Sequence, residues 1–378
     1  MFEPALLEEI KRRTPEIEAA RQLPADLVGR LMRTGVFRLC VPRSLNGLEA
    51  EPAALLRAIE TVATSDGSAG WCVMIGATSA MTAAYLDPAT AGEIYGDPDV
   101  VTGGVFAPKG KAAIDGDDYR VSGRWQWASG SSHCRWLMGG CAVTEGSKPR
   151  LLEGGMPEAR MVLFPASEAV IHDTWHSSGL CGTGSNDMEV GDLLVPRRRS
   201  ASIATDKPVE NGALYAFPIF GLLALGIAAV GLGLARRAMQ ELAALAGGKV
   251  PTGGQRALIE RPATQADYAR AEATLRSARG FYFEAVAEAW DRAQAEGVIP
   301  TDQRARLRLA ATHATEASAR VVDVMYNLGG GTSVYRDSAL QRCFRDVHVV
   351  TQHMMVAPAT WELAGRALLG VKGDLSML

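Results

Sequence analysis

Between Trp175 and Pro196 the chain reads WHSSGLCGTGSNDMEVGDLLVP, a glycine-rich polar loop running into an alternating strand. Gly179, Gly182 and Gly184 let a backbone turn tightly and approach a ligand closely, while Thr183, Ser185, Asn186 and Asp187 add short polar groups without bulk. The loop suits a ligand cradle, and the same residues also suit a plain hairpin turn. No Gly-Lys-Ser/Thr follows, so it is not a nucleotide P-loop. A second candidate is Arg124–Ser132, RWQWASGSS. Strand alternation puts Trp125 and Trp127 on one face, a π-rich wall for a planar heterocycle, and Ser129, Ser131 and Ser132 can hydrogen-bond its edge. An aromatic stripe in a β core has the same pattern.

The histidines are His133, His172, His176, His313, His348 and His353. His172 and His176 lack the Glu of a His-Glu-x-x-His frame. His348 and His353, five apart on one expected helix, diverge by about 140° and cannot chelate from one face. No metal is assigned. His353 stands among apolar neighbours in VVTQHMMVAP, where a polar imidazole needs a reason. There is no Gly-x-Ser-x-Gly elbow, and Gly226–Gly233 lies within a helical pattern, so neither a serine hydrolase nor a Rossmann domain is supported.

These groups need elements to position them. A chain of 378 residues with 47% hydrophobic and 21% charged residues builds a soluble globular protein of two or three domains. A formal net charge of -3 points away from nucleic acid and from anionic membrane. The six cysteines form no Cys-x-x-Cys pair and read as reduced cytoplasmic thiols, and the acidic start is no signal peptide. The apolar run Ile219–Ala235, with its four glycines, reads as a buried bundle helix rather than a span, which needs about 20 such residues.

Helical periodicity runs through residues 1–96, short strands bounded by Gly, Asp and Pro through 97–210, and long helices through 211–378. Within the middle part, AAIDGDDYRVSGRWQWASGSSHCRWLMGGCAV reads as antiparallel hairpins with an Asp-Gly turn. Four long helices are expected at Leu222–Leu245, Thr264–Glu296, Thr301–Leu328 and Asp337–Leu369, an antiparallel bundle. The class is α+β: a helical N-terminal domain, a central antiparallel β-barrel domain and a C-terminal four-helix bundle.

That order, with three motifs, resembles the acyl-CoA dehydrogenase superfamily over nearly the whole chain. The family's Gly-Leu-Arg-x-Ser-x-Thr, followed by a strand ending in Val-Pro, is matched in frame by Gly179-Leu180-Cys181-Gly182-Thr183-Gly184-Ser185 and Val195-Pro196. Gly329-Gly330-Gly331, Arg342 and Arg345-Asp346 resemble its Gly-Gly and Arg-Asp signatures. The dehydrogenases' glutamate base would fall eight residues after Asp346, where this chain has Met354, and a thioether cannot be that base. His353 beside it, with Trp175–Asp187, is similar instead to the flavin-dependent monooxygenase branch, the oxygenase components of two-component aromatic hydroxylases.

The resemblance implies an enzyme that takes FMNH2 or FADH2 from a separate NAD(P)H-dependent flavin reductase, reacts it with O2 to a C4a-hydroperoxide, and hydroxylates a small aromatic or polycyclic substrate. It implies His353 near the flavin, bonding the peroxide or assisting phenol deprotonation, with His348 as the competing histidine and His133 on the substrate side. It further implies Ser129 or Ser131 at the N5 edge, Trp125 and Trp127 as the wall, Thr183 and Ser185 at cofactor or substrate, Gly330 and Gly331 at the cofactor, and a homotetramer. Two other classes stay open: an acyl-CoA dehydrogenase or nitroalkane-oxidase-like FAD enzyme using Asp346 or Glu362 as base, and a non-catalytic flavin-binding protein.

Overall fold

The structure is a computed structural model that describes residues 1–202 and 205–378. It opens with five helices: α1 (Pro4–Ala20), α2 (Ala25–Arg33), α3 (Pro52–Ser65), α4 (Gly67–Ser79) and α5 (Pro88–Tyr95). Proline sits at the first turn of α1, α3 and α5, where its missing N–H costs nothing. Asp66 caps α4 by accepting the Ala69 N–H at 2.8 Å. Helix α4 is buried along nearly its whole length, because it is the layer between the strands and the later bundle.

Eight strands follow: β1 (Thr102–Asp115), β2 (Asp118–Ala128), β3 (Trp136–Glu145), β4 (Lys148–Pro149), β5 (Ala159–Pro165), β6 (Val170–His172), β7 (Asn186–Pro196) and β8 (Ser200–Ala201). They form one sheet in the order β6-β7-β2-β1-β3-β5-β8, with β4 paired to β3. The Asp-Gly hairpin expected from the sequence joins β1 to β2, with Asp115 opposite Asp118 and Gly116 at φ 59°. The expected run of hairpins does not continue. Strand β3 crosses over to pair with β1 in parallel, because the free edge of β2 is taken by β7.

A bulge corrects the expectation for the two tryptophans. The β2–β7 register shifts between Trp125 and Ala128, and Trp127 takes φ 68°, so the pair does not share a face. Trp125 is 0% exposed and donates its indole N–H to the Gly140 carbonyl at 2.7 Å. Its ring needs bare backbone around it: a Cβ on Gly110 or Gly139 would lie 2.2 or 2.5 Å from its ring carbon. Trp125 is thus a core residue and touches no cofactor face. Trp127 is turned outward and is 63% exposed.

The final part is helical: α6 (Ile219–Ala246), α7 (Pro262–Glu296), α8 (Thr301–Gly329), α9 (Ala339–Val350) and α10 (Ala359–Leu368). Helix α6 is long and apolar enough to cross a membrane, yet 89% of its most apolar window is buried by α3, α4 and α8. The single helix expected over Asp337–Leu369 is two. Residues 351–358 form turns that end at Pro358, the N-cap of α10, and His353 lies in this break rather than on a helix.

Replacing Gly139 with alanine should cost about 1–3 kcal/mol by overpacking Trp125. Urea unfolding of Gly139→Ala measures this; an unchanged midpoint would mean the indole is not confined as described.

Candidate active site

The site is assembled around the peptide of Leu180, which is held in the left-handed region at φ 47°. Its N–H donates to Asp346 Oδ1 at 2.6 Å, and its carbonyl accepts from Trp175 Nε1 at 3.1 Å and from Thr183 Oγ1 at 2.8 Å. The Thr183 N–H, 3.1 Å away, also points at this oxygen, so three donors converge on its two lone pairs. The loop glycines serve this docking rather than a ligand. A Cβ on Gly179 would sit 2.4 Å from the Arg345 carbonyl, and one on Gly182 would sit 2.2 Å from Ile17 Cγ2. Arg345 reinforces the seat by donating to the Ser178 carbonyl at 2.5 Å, and Glu18 of α1 accepts from both Arg342 and Arg345.

From Thr183 a string of hydroxyls leads inward. Thr183 Oγ1 lies 2.7 Å from Ser185 Oγ, Ser185 Oγ lies 2.6 Å from Ser129 Oγ, and Ser129 Oγ accepts the indole N–H of Trp71 at 3.1 Å. Thr183 and Ser185 are 2% and 4% exposed, and Ser129, which they reach, is 5% exposed. The Gly130 N–H donates to the Thr183 carbonyl at 2.8 Å, locking the serine turn to the same loop.

Trp71 joins this string to the second half of the site. Its ring centroid is 5.8 Å from that of His353. His353 Nδ1 accepts the Met355 N–H at 3.2 Å, which places the proton of the neutral ring on Nε2. The Met355 carbonyl in turn accepts from Arg308, a guanidinium that is 1% exposed and whose other donation goes to the Met377 carbonyl. Burial, with Arg308 adding to it, pushes the His353 imidazole down to about 4. Burial likewise pushes His133 down to about 4. His133 folds back on Gly130, whose Cβ would lie 2.8 Å from Nε2, and its Nδ1 is buried without a partner, as is Ser131 Oγ.

Trp71 of α4 thus brings Ser129 and His353 together, with Ser131 and His133 following on the same 129–133 turn, while Trp127 stands outside it beside Lys109. Gly330 and Gly331 do not join them. They are exposed at the far end of α8, beside Lys249, which donates to the Gly329 carbonyl and to Thr332. His348 is also elsewhere: it pairs with Asp323 of α8 at 2.9 Å and packs edge-on against Phe344, facing the outside of the bundle. Sequence reasoning missed Trp71. The signal was the one aromatic in a helix of small and aliphatic residues, since a buried indole N–H must find an acceptor.

Asp346 and Glu362, the alternative bases, are not at this face. Asp346 is 5% exposed behind the loop, and burial lifts its carboxyl to about 7. The cavity beside it, lined by Thr14, Asp66, Arg237, Arg342 and Cys343, holds about 20 Å³, too little for an aromatic ring. Glu362 is solvent-facing and pairs with Arg366 on its own helix. Met354 is 67% exposed. A planar heterocycle with a polar edge does fit the assembled face: the outward indole of Trp127 offers a flat contact, and Ser131 Oγ and His133 Nδ1 are buried polar atoms with hydrogen bonds unspent.

The fold is shared with known proteins. Residues 225–358 match the family model described as acyl-CoA dehydrogenase, C-terminal domain. The chain is 36% identical to an indole-3-acetate monooxygenase of Pseudomonas putida over 97% of its length and 92% of that protein. It is 28% identical to the oxygenase component of an FADH2-dependent resorcinol hydroxylase of Rhizobium sp., covering 94% and 90%. The solved structure of a 3-HSA hydroxylase from Rhodococcus superposes with a TM-score of 0.91 at 27% identity, covering 99% of this chain and 97% of that one.

The two half-buried imidazoles, crowded by the surrounding protein, make a pH statement. Each is neutral when folded down to about 4 and ordinarily titrates at 6.5, so between those values the unfolded chain binds more protons. Their effect on stability is absent above 6.5 and becomes increasingly unfavourable as pH falls toward 4. Imidazole ¹⁵N NMR across pH 4–8 should show His133 and His353 neutral at pH 6; a midpoint near 6.5 for either would contradict the enclosure described.

Proposed function

This chain belongs to the flavin-dependent monooxygenases, as an oxygenase component on the acyl-CoA dehydrogenase fold, and from that premise we propose that its Trp127–Ser129–His353 face holds reduced flavin and hydroxylates a small aromatic substrate. One observation carries the reading: Trp71 touches both Ser129 and His353, so the serine turn and the histidine are held on one helix. Relatives named for indole-3-acetate and resorcinol support an aromatic substrate.

Reduced flavin, when bound, supplies the electrons with which one atom of O2 enters the substrate and the other leaves as water. The protein's part is binding and protection. Trp127 would offer a flat contact for one ring face, Ser129 would hold the polar edge, and Ser131 and His133 would contribute their unspent polar atoms. His353 presents Nε2–H to an acceptor at the reacting centre. Because Nδ1 is already engaged by Met355, a neutral His353 has no lone pair with which to take a proton, and this favours the donor role over deprotonation of a phenol.

A second electron donor must regenerate the reduced cofactor, which implies a separate NAD(P)H-dependent reductase. The exposed Gly330–Gly331 turn and the uncovered face of Trp127 are consistent with a homotetramer in which a neighbouring subunit completes the site, and six free cysteines, all partly or wholly buried, with a cytoplasmic enzyme. The dehydrogenase or nitroalkane-oxidase reading loses its support, since neither Asp346 nor Glu362 reaches the face.

Single-turnover mixing of the protein–FMNH2 or protein–FADH2 complex with oxygen tests the assignment. His353→Ala should release hydrogen peroxide faster, and lose product, on the order of 10²-fold relative to the parent, whereas His348→Ala should couple normally. Unchanged coupling in His353→Ala would remove it from the site.

A further inference from the structure

Helix α8 carries Arg304, Arg308, Thr312 and Glu316 at four-residue spacing, so their side chains share one face. Each is spent on chain that follows α9. Arg304 donates to the Leu378 carbonyl at 2.8 Å, Thr312 Oγ1 lies 2.6 Å from Thr360 Oγ1, and Glu316 accepts the Trp361 indole N–H at 2.5 Å. Arg308 serves two segments at once. Its guanidinium donates to the Met355 carbonyl at 2.9 Å and to the Met377 carbonyl, tying the break that carries His353 to the stretch that follows α10.

The charge of Arg308 is set by its surroundings. It is 1% exposed, and among the described residues no carboxylate pairs with it; what bears on it is burial and the neighbouring cation of Arg304. A guanidinium placed there needs carbonyl oxygens for its planar donors, and in taking them it fixes where they stand. Met355 is held at both ends, its carbonyl by Arg308 and its N–H by His353 Nδ1. Leu378, 1% exposed, plugs the far side and keeps Met377 against the guanidinium.

We propose that Arg308 is a positioning residue for His353, and that Met377 and Leu378 are the latch that keeps its guanidinium on the Met355 carbonyl. The inference rests on the reading of His353 as the donor at the reacting centre. While the latch is closed, Met355 stays in place and the imidazole keeps its proton on Nε2, the atom offered to the site. Once it is open, the imidazole loses both the fixed tautomer and its packed surroundings.

Arg308→Gln, Arg308→Lys and Leu378→Ala are compared with the parent and with His353→Ala in two readouts. One is imidazole ¹⁵N titration with His133 as internal control; the other is hydrogen peroxide release after the protein–FMNH2 or protein–FADH2 complex is mixed with oxygen. Leu378→Ala keeps every charge, so a His353 midpoint that rises from about 4 toward 6.5 while His133 stays put reports lost position. Its peroxide release should quicken about tenfold, one hydrogen bond's worth. Arg308→Gln should do the same, and Arg308→Lys, which keeps the charge and can serve one carbonyl, should fall between it and the parent. Should either Arg308→Gln or Leu378→Ala fail to fold, the other decides. An unmoved His353 midpoint and unmoved peroxide release in these variants, with His353→Ala still releasing peroxide faster, would overturn the latch and the positioning role alone. Both imidazole midpoints rising together would also overturn it, since that is general loosening. Unchanged peroxide release in His353→Ala would overturn the reading of His353 and the proposal with it.

Discussion

The backbone of one residue, Leu180, holds this molecule's chemistry in place. Leu180 gives its N–H to a buried carboxylate on α9 and its carbonyl to Trp175 and Thr183, and it does so in a left-handed conformation that only the surrounding contacts sustain. From it the hydroxyls of Thr183, Ser185 and Ser129 reach Trp71, and Trp71 reaches His353. Three parts of the chain, the β layer, α4 and the break before α10, are thereby fixed to one another, the first two through hydrogen bonds and the last through the ring contact of Trp71 with His353. Such a network is strong only when complete, since a buried group without a partner costs about as much as several made bonds gain.

Burial also sets the charge state of the site. The imidazoles of His133 and His353 are kept neutral by the protein packed around them, and His353 is further disfavoured as a cation by Arg308. That guanidinium sits on two backbone carbonyls and fixes Met355, whose N–H orients the histidine. The result is a neutral donor in a partly dry setting, suited to holding an oxygen species without releasing protons to it. The carboxylates that a dehydrogenase mechanism would need are behind the loop or in solvent.

The order of helices, strands and helices was legible because periodicity changes from 3.6 to 2 and back, and each change coincides with Gly, Pro or Asp punctuation. Misreadings came where tertiary context overrides local pattern. Alternation put Trp125 and Trp127 together, but a bulge separated them, and a nest of glycines from two other stretches claimed Trp125. The last helix was read through residues 351–358 although Pro358 was visible there, and so His348 and His353 were weighed as residues of one helix. Thr183 and Ser185 were singled out for a ligand, yet their partners are Leu180 and Ser129; residue type announced hydrogen bonding without saying to what. Trp71 carried no local mark beyond its size.

The most direct measurement is a crystal structure after anaerobic soaking with dithionite-reduced FMN or FAD. The account predicts an isoalloxazine lying on Trp127 with N5 at hydrogen-bond distance from Ser129 Oγ and His353 Nε2 on the side toward Trp71. Flavin bound away from Trp127, or with Ser129 still enclosed and untouched, would contradict it.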